Sequence, residues 1–255
     1  ILGRLKPNES AKAFRPNLSI VDNATAHIDA RILVRIDIKN FFPSIEFPRV
    51  RKYFVQIGYN PGVATLLALL CTDSPRVRVE FGGRHLFVAT GPRSVPQGAP
   101  TSPDLANLIA SNLDKRIQGW QRESGRDWRY TRYADDLVFS SENGEADVKR
   151  LLAAVYGIVE SEGWAVNHKK TSVRRNGSRM MVTGVAVDGK RVYLSRRDLR
   201  RIRAFLHQCE VRGLEDMSKQ IGKSALAVAR GYVAYVHMVM PGVAAQFRAK
   251  HPWLA

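Results

Sequence analysis

The stretch Tyr133-Ala134-Asp135-Asp136 lies between two apolar segments, residues 128–133 and residues 137–140. Aromatic and β-branched residues in both segments predict a pair of strands. Neighbouring side chains on a regular strand point to opposite faces, so two adjacent carboxylates can serve one site only if they lie on a turn. Two such carboxylates between apolar strands need a neutralising partner, and Mg²⁺ prefers carboxylate oxygens. The pattern predicts a tight hairpin with a divalent-cation site, although a solvated Asp-Asp turn would have the same sequence.

A third aspartate, Asp37, lies near the end of the apolar run at residues 32–38, which predicts a buried strand. A carboxylate at a strand end beside a carboxylate turn can complete a two-metal site. In such a site one cation activates a 3′-hydroxyl and the other holds the triphosphate. Asp37 could equally be a plain cap, so its pairing with Asp135 and Asp136 is what favours nucleotidyl transfer.

The charge of the chain favours a nucleic-acid partner. Its 255 residues include 40 Lys and Arg against 23 Asp and Glu, giving a net charge of +17 and a pI near 10.3. Such an excess attracts the phosphate backbone, although a ribosomal protein, a nuclease or a membrane-surface protein would share it. The densest basic patch lies within residues 191–203 and fits either a solvated helix surface or a track for duplex backbone. Its members are Arg191, Arg196, Arg197, Arg200, Arg201 and Arg203.

The cysteines and the hydropathy pattern point to a reducing compartment and no membrane. Cys71 and Cys209 are isolated, without metal-ligand spacing or a disulfide framework, and we expect buried free thiols. No apolar run reaches the roughly 18 residues that a membrane span needs. No signal peptide is visible, although the chain begins at Ile1 rather than Met.

The order of predicted elements indicates an α+β body followed by a helical piece. Predicted helices lie at residues 47–57, 61–70 (a buried helix), 101–120, 146–163, 195–212 and 218–239, with Ser195 as a cap and Pro241 as the end of the last. Predicted strands lie at residues 77–79 and 85–88 (a hairpin around Gly82-Gly83), 165–167, 180–187 and 192–194, with a loop at 91–100.

Four motifs in a fixed order resemble those of reverse transcriptases. Asp37-Ile38-Lys39-Asn40-Phe41-Phe42-Pro43-Ser44-Ile45 resembles their first catalytic motif, and residues 133–136 resemble the third. Pro96-Gln97-Gly98-Ala99-Pro100-Thr101-Ser102-Pro103 is similar to the second, the nucleotide- and template-positioning loop. Asn167-His168-Lys169-Lys170-Thr171 resembles the motif that follows. The resemblance covers roughly residues 14–195.

Two shorter segments resemble signatures of the retron branch. Asn23-Ala24-Thr25-Ala26-His27 is similar to the retron Asn-Ala-x-x-His signature, and Val182-Thr183-Gly184 to the retron Val-Thr-Gly signature. His27 could instead be a structural histidine, and Thr183 could simply belong to a strand turn. The alternatives are another bacterial reverse transcriptase (diversity-generating, CRISPR-linked or abortive-infection type) or a non-catalytic RNA-binding scaffold on a polymerase fold.

The resemblance implies a catalytic role for Asp37, Asp135 and Asp136, which would bind two Mg²⁺ with the Ile38 carbonyl as an extra ligand. Phe42, five residues after Asp37, falls at the sugar-gate position. A bulky ring there would clash with a 2′-hydroxyl, so dNTP should be preferred over rNTP.

The remaining implied contacts concern the nucleotide and the nucleic acid. Gln97 and Gly98 would shape the nucleotide pocket, Lys170 rather than Lys169 would neutralise or protonate the leaving pyrophosphate, and Arg15 would contact the triphosphate. Residues 180–194 would hold the primer end. RNA and primer contacts are expected from Asn23, His27, Thr183, Arg196, Arg197, Arg200 and Arg201, with Arg203 in the same patch.

The expected fold is a right-hand polymerase of the α+β class. It would comprise partial fingers (residues 1–30), a ferredoxin-like palm (31–195, with fingers elements inserted at about 47–90) and a helical thumb (196–255). The expected function is a retron-type RNA-directed DNA polymerase that copies a structured non-coding RNA into single-stranded DNA in anti-phage defence. Its partners would be that RNA template, the RNA–DNA duplex, dNTPs and a separate effector protein, in the bacterial cytoplasm and not at a membrane.

Overall fold

Strands and helices alternate along most of the chain, and the described part after Ser195 is helical, as predicted. The computed structural model describes residues 2–125, 127–187 and 189–254. The strands are β1 (Ile32–Asp37), β2 (Arg76–Phe81), β3 (Arg84–Ala89), β4 (Arg129–Tyr133), β5 (Asp136–Ser141), β6 (Ser172–Arg175), β7 (Met181–Val182) and β8 (Val185–Ala186). The helices are α1 (Ile20–Thr25), α2 (Phe47–Gln56), α3 (Pro61–Cys71), α4 (Ser102–Ile109), α5 (Ser111–Glu123), α6 (Val148–Ser161), α7 (Arg196–Arg212), α8 (Leu214–Ile221), α9 (Ala225–Val239) and α10 (Pro241–Lys250). Among the described residues, no helix has the length and apolar character that crossing a membrane requires.

Four strands form one antiparallel sheet in the order β4-β5-β1-β6. Helices α2 to α5 and the β2–β3 hairpin are inserted between β1 and β4, and α6 connects β5 to β6. This connectivity and strand order are those of the ferredoxin-like motif. The predicted α+β class with a ferredoxin-like sheet is confirmed.

Each face of this sheet has its own hydrophobic core, because successive side chains of a strand point to opposite faces. On one face, alternate residues of β1 from Ile32 to Ile36 pack with side chains of α2, α4, α5 and α6. On the other face, Leu33 and Val138 pack with α1, β7, β8, α7 and α9. By the same alternation Asp37 lies on the second face, at the end of β1 beyond the core formed by these helices.

The predicted helix at residues 101–120 is two helices, α4 and α5, that meet at Ala110. The Ser111 hydroxyl donates to the Asn107 carbonyl one turn back (3.0 Å). Such back-bonding by serine competes with the backbone ladder and bends helices. Apolar periodicity continues through the junction, so the sequence pattern did not reveal the break.

The predicted helix at residues 218–239 is likewise two helices, α8 and α9. Gly222 ends α8 in the left-handed region (φ +65°), a common helix terminus for glycine. The Ser224 side chain then accepts from the Ala227 N–H and caps α9. Pro241 follows the end of α9 as predicted, and it also begins α10.

Two of the predicted strands are reduced to single bridges. Within residues 165–167 only Val166 pairs, with Ile38, and within residues 192–194 only Tyr193 pairs, with Ala186. Conversely β6, which lies at the edge of the main sheet, was not predicted as a strand. Its arginine-rich sequence hides the strand, because edge strands tolerate charged side chains.

Helix α3 is only half buried, which corrects the expectation of a buried helix. Ala64, Ala68 and Cys71 face the core, whereas Leu66 and Leu70 are 63% and 83% exposed. Cys71 on α3 and Cys209 on α7 are buried free thiols, as predicted.

Candidate active site

The β4–β5 hairpin has a two-residue loop that carries Asp135 at its tip. Tyr133 pairs with Asp136 across the two strands, so Ala134 and Asp135 alone form the connection. Ala134 has a positive φ of +56°, at the loop position where a type II′ turn favours glycine. The predicted tight hairpin is therefore observed, and it places two neighbouring carboxylates at the same end of the strands.

Strand register brings Asp37 beside this turn. Asp37 and Asp136 are directly opposite partners in the β1–β5 pair, where side chains are roughly 4.5–5.5 Å apart at Cβ. The Ile38 N–H donates to the Asp135 carbonyl (2.9 Å), which ties the turn to the end of β1. The three aspartates predicted to act together thus converge from residues about 100 positions apart.

The convergence of negative charge is visible in the pKa of Asp135. Burial raises that pKa, and the negative charges of Asp136 and Asp37 raise it further. Asp37 itself is only 7% exposed, and each of its carboxylate oxygens accepts a hydrogen bond. Lys170 Nζ donates to Oδ1 (2.9 Å) and Asn167 Nδ2 donates to Oδ2 (3.0 Å). The contact with Asp37 raises the pKa of Lys170, so its ammonium form is favoured.

Asp136 also has a cationic partner, Arg35 of β1, whose Nη2 lies 2.7 Å from its Oδ2. Among the described residues, no group of three or more His, Cys, Asp or Glu side chains is arranged to hold a metal ion. The carboxylates of Asp37 and Asp136 are directed to Lys170 and Arg35 instead. The donor set itself, which consists of carboxylate oxygens with an excess of negative charge, fits the ligand preference of Mg²⁺.

Of the two neighbouring phenylalanines after Asp37, the one at the predicted sugar-gate position is the accessible one. Phe42 is half-buried, whereas Phe41 is 4% exposed and stacks on Trp164 (centroids 5.0 Å apart). Phe42 contacts Phe41 edge-on and lies 6.2 Å from the exposed ring of Phe14. The alternative in which Phe42 is core and Phe41 exposed is excluded.

The other predicted nucleotide contacts are available at the surface but are not joined to the aspartates. Gln97 and Gly98 are exposed in the loop before α4, and Gly98 has a φ of +94° that favours glycine. Arg15 donates to the Ala11 carbonyl (3.3 Å) within its own segment. Within the described part of the chain, no hydrogen bond or ion pair links these three residues to Asp37, Asp135 or Asp136.

Two residues predicted to contact RNA, Asn23 and His27, are buried, so neither side chain is accessible to RNA in this structure. His27 is 0% exposed; its Nδ1 lies 2.7 Å from Ser140 Oγ and its Nε2 2.7 Å from Thr131 Oγ1. One ring nitrogen donates and the other accepts, so His27 joins the segment after α1 to β4 and β5. Asn23 on α1 is also 0% exposed. His27 therefore bonds within the protein interior, whereas the buried amide of Asn23 has no hydrogen-bond partner among the described residues.

The remaining predicted nucleic-acid contacts stay accessible. Thr183, in the β7–β8 turn (φ +47°), is partly exposed and donates to the Ile20 carbonyl of α1 (3.2 Å). Helix α7 buries one stripe and exposes the other. The exposed stripe carries the arginines predicted from sequence, namely Arg196, Arg197, Arg200, Arg201 and Arg203.

Sequence reasoning missed one charged residue behind the turn, Arg132 of β4. It is fully buried with Asp114 of α5, and its side chain also reaches the Ala134 carbonyl (3.3 Å). An arginine inside an otherwise buried strand is the signal that could have found it, because a buried guanidinium needs a partner.

Comparison with known proteins identifies a family for this site. The family described as "Reverse transcriptase (RNA-dependent DNA polymerase)" matches residues 4–192, which is most of the chain. Among solved structures, apo telomerase from Candida Tropicalis truncated from its C-terminal domain superposes with a TM-score of 0.47 at 16% identity, covering 64% of this chain and 35% of that one. At this identity and TM-score, the resemblance says nothing about function.

Curated relatives are retron reverse transcriptases. The Retron Mx65 reverse transcriptase of Myxococcus xanthus is 42% identical over 242 residues, covering 94% of this chain and 54% of that protein. The Retron Mx162 enzyme of the same organism is 37% identical over 264 residues (98% and 53%). The Retron Ec86 enzyme of Escherichia coli is 35% identical over 210 residues (81% and 58%). The chain thus spans about half the length of the relatives it matches. By its family match, its four ordered motifs and its convergent aspartates, this chain belongs to the reverse transcriptase family, and its relatives there are retron reverse transcriptases.

Proposed function

We propose that this chain is an RNA-directed DNA polymerase of retron type. It copies a structured non-coding RNA into single-stranded DNA by nucleotidyl transfer at Asp37, Asp135 and Asp136. The observation that carries this proposal is the convergence of these three carboxylates at one end of the central strands, with Lys170 hydrogen-bonded to Asp37. Identity of 35–42% to retron reverse transcriptases supports the retron type over other bacterial reverse transcriptases.

Asp37, Asp135 and Asp136, with the Ile38 carbonyl, would hold two Mg²⁺. Two such ions supply charge neutralisation and activation of the 3′-hydroxyl. Arg35 and Lys170 now neutralise two of the carboxylates and would release them when the site is loaded. Lys170 then becomes a mobile ammonium beside the site. As a protonated amine there, it could neutralise or protonate the leaving pyrophosphate.

Phe42 and the loop at Gln97-Gly98 would select the incoming dNTP. The half-buried ring of Phe42 rests on the buried Phe41, which holds it in place against a 2′-hydroxyl. Gly98 allows the backbone to approach the nucleotide closely, since it has no side chain. Arg15 would contact the triphosphate after reorienting from the Ala11 carbonyl.

The division into fingers, palm and thumb belongs to the same proposal. Residues 1–30 would be partial fingers, residues 31–195 the palm with fingers elements at about 47–90, and residues 196–255 the thumb. The exposed arginine stripe of α7 would follow the phosphates of the RNA template and the RNA–DNA duplex. Thr183 and the β7–β8 turn would lie at the primer end. A role in anti-phage defence with a separate effector protein completes the proposal.

Primer extension on an RNA template with dNTPs and Mg²⁺ tests the polymerase assignment. The unsubstituted chain should extend the primer. Asp135→Asn should lose extension by about 10²–10³-fold or more, because it removes a charged group from the reacting centre. The matched control is Asp216→Asn, at an exposed aspartate of α8. Unchanged synthesis by Asp135→Asn would refute the catalytic assignment, and RNA binding without metal-dependent incorporation by the unsubstituted chain would favour a scaffold.

A further inference from the structure

The face of the sheet opposite the three aspartates contains a fully buried ion pair. Arg132 and Asp114 are both 0% exposed. Arg132 Nε donates to Asp114 Oδ1 and Nη2 donates to Oδ2, each at 2.8 Å, in a bidentate arrangement. Bidentate pairing fixes the plane of the guanidinium as well as its position. This Arg132 head group is therefore a rigid donor in the protein interior.

Its third nitrogen is directed toward the catalytic turn. Arg132 Nη1 donates to Asn107 Oδ1 of α4 (3.0 Å) and to the Ala134 carbonyl (3.3 Å). The Tyr130 hydroxyl donates to Asp114 Oδ1 (2.7 Å), which satisfies the carboxylate further. The network thus connects α4 and α5, which follow the loop at residues 96–101, with the turn that carries Asp135.

The turn needs such support for a physical reason. Ala134 is a non-glycine residue with a φ of +56°, which is a strained conformation that persists only where surrounding contacts determine it. Its carbonyl is held from one side by Arg132, and the next carbonyl, of Asp135, is held from the other side by the Ile38 N–H. These two hydrogen bonds hold the carbonyls of both loop residues.

A buried ion pair is weak evidence for a purely stabilising role. Its desolvation penalty offsets much of the attraction, and well-packed apolar residues often serve as well or better. Burial by itself would lower the pKa of Arg132, and Asp114 more than restores it, so the guanidinium stays charged. The charged pair keeps Nη1 of Arg132 available to donate to the Ala134 carbonyl, and an apolar pair has no such donor.

We propose that Arg132, clamped by Asp114, is a positioning residue that fixes the Ala134–Asp135 turn and so sets where the Asp135 and Asp136 carboxylates lie. This role rests on the proposed function and extends it to a residue that touches neither substrate nor metal. It predicts that the turn loses its catalytic geometry when the Arg132 donor is removed, even if the interior remains well packed.

The test uses a double variant, Arg132→Met with Asp114→Leu, which replaces the buried pair with apolar side chains of similar volume. The matched control removes a solvent-accessible ion pair that also involves α5, Arg116→Gln with Glu162→Gln (2.7 Å). Three quantities are measured for each: the urea midpoint of unfolding, Mn²⁺ affinity without nucleotide, and kcat and KM for dNTP incorporation. Arg132→Lys, which keeps the charge but not the planar fork, is the conservative variant.

The double variant should stay folded, bind Mn²⁺ about 10- to 100-fold more weakly and lose kcat by a similar factor, the usual effect of disturbing residues that orient metal ligands. The KM for dNTP should change much less, Arg132→Lys should be intermediate, and the control pair should match the unsubstituted chain. A folded double variant with unchanged Mn²⁺ affinity and kcat overturns the positioning role. If the double variant fails to fold, the same comparison is made with Arg132→Lys, and unchanged values there overturn it. An unsubstituted chain that binds Mn²⁺ yet makes no DNA overturns the proposed polymerase function alone.

Discussion

Lowering the pH from 7 to 5 should destabilise this chain through His27, whose ring is buried between Thr131 and Ser140. Burial, reinforced by the positive charges of Arg129 and Lys12, lowers the pKa of His27 to about 3. In the unfolded chain the imidazole is in water and takes up a proton near its ordinary pKa of about 6.5. Below that pH the unfolded state binds more protons than the folded state, so stability falls as the pH falls.

The size of the effect follows from the two pKa values of His27. A pKa of about 3 in the folded state and about 6.5 in the unfolded state gives a loss of about 2 kcal/mol between pH 7 and pH 5. The loss reaches about 3 kcal/mol at pH 4 by the same linkage. At pH 5 the loss hardly depends on the folded-state pKa, because the buried ring is still neutral there.

Urea unfolding followed by tryptophan fluorescence at pH 7, 6 and 5 measures this loss. His27→Gln is the informative variant, because an amide can donate and accept as the ring does but cannot be protonated in this range. Its free energy of unfolding should fall by about 2 kcal/mol less than that of the unsubstituted chain between pH 7 and pH 5. His85→Gln, on the exposed strand β3, is the matched control and should keep the full pH dependence.

Equal pH dependence in His27→Gln and the unsubstituted chain would contradict this prediction. It would mean that the His27 ring is protonated as readily in the folded state as in water. The contacts with Thr131 and Ser140 would then not describe a buried neutral imidazole, and the assignment of this residue to the interior would have to be withdrawn.

Three further predictions concern catalysis and nucleic-acid binding. Phe42→Ala should raise rNTP incorporation relative to dNTP by about 10- to 100-fold, since relief of a steric clash is worth about 1–3 kcal/mol. Single-nucleotide kinetics measure this ratio, and an unchanged ratio would contradict the sugar-gate role of Phe42. Lys170→Ala should lower kcat by about 10²-fold, whereas Lys169→Ala should not, because of the two lysines it is Lys170 that contacts Asp37. Equal effects of the two substitutions in the same assay would exclude a specific role for Lys170. Replacing Arg197 and Arg200 with Gln should weaken the salt dependence of RNA–DNA duplex binding. The slope of log affinity against log salt, measured by fluorescence anisotropy, should become less steep by about 0.9 per lost phosphate contact. An unchanged slope would show that the duplex does not contact these two arginines.

The site was largely predictable where the signal is local. Two adjacent carboxylates between apolar strands, Asp135 and Asp136, can serve one site only on a turn, and the strand pairing of Tyr133 with Asp136 has that form. The Ser195 cap and the exposed arginines of α7 were likewise predictable, because a cap and an amphipathic stripe are set within one helix. Helix breaks at Ala110 and Gly222 were missed, since apolar periodicity alone does not register where hydroxyl back-bonding or a left-handed glycine interrupts a helix.

The retron-like signature shows the limit of reading a role from a motif. The segment from Asn23 to His27 was expected to contact RNA, but both of these side chains are buried. The same polar residue in a signature sequence can either contact a ligand or form hydrogen bonds inside the protein. Only burial, and the partners Thr131 and Ser140 on two strands far along the chain, decide between them for His27.

Residue type and spacing within a few turns or strands were enough to predict the acidic turn, the order of the motifs and the basic surface. Tertiary structure alone decided which cations neutralise the aspartates and what holds the turn. Arg35 meets Asp136 across 101 positions and Lys170 meets Asp37 across 133, through the register of β1 with β5 and the bridge of Ile38 to Val166. Arg132 finds Asp114 because α5 packs on the face of the sheet opposite the carboxylates. Such pairings arise from the packing of distant elements, so no local pattern encodes them.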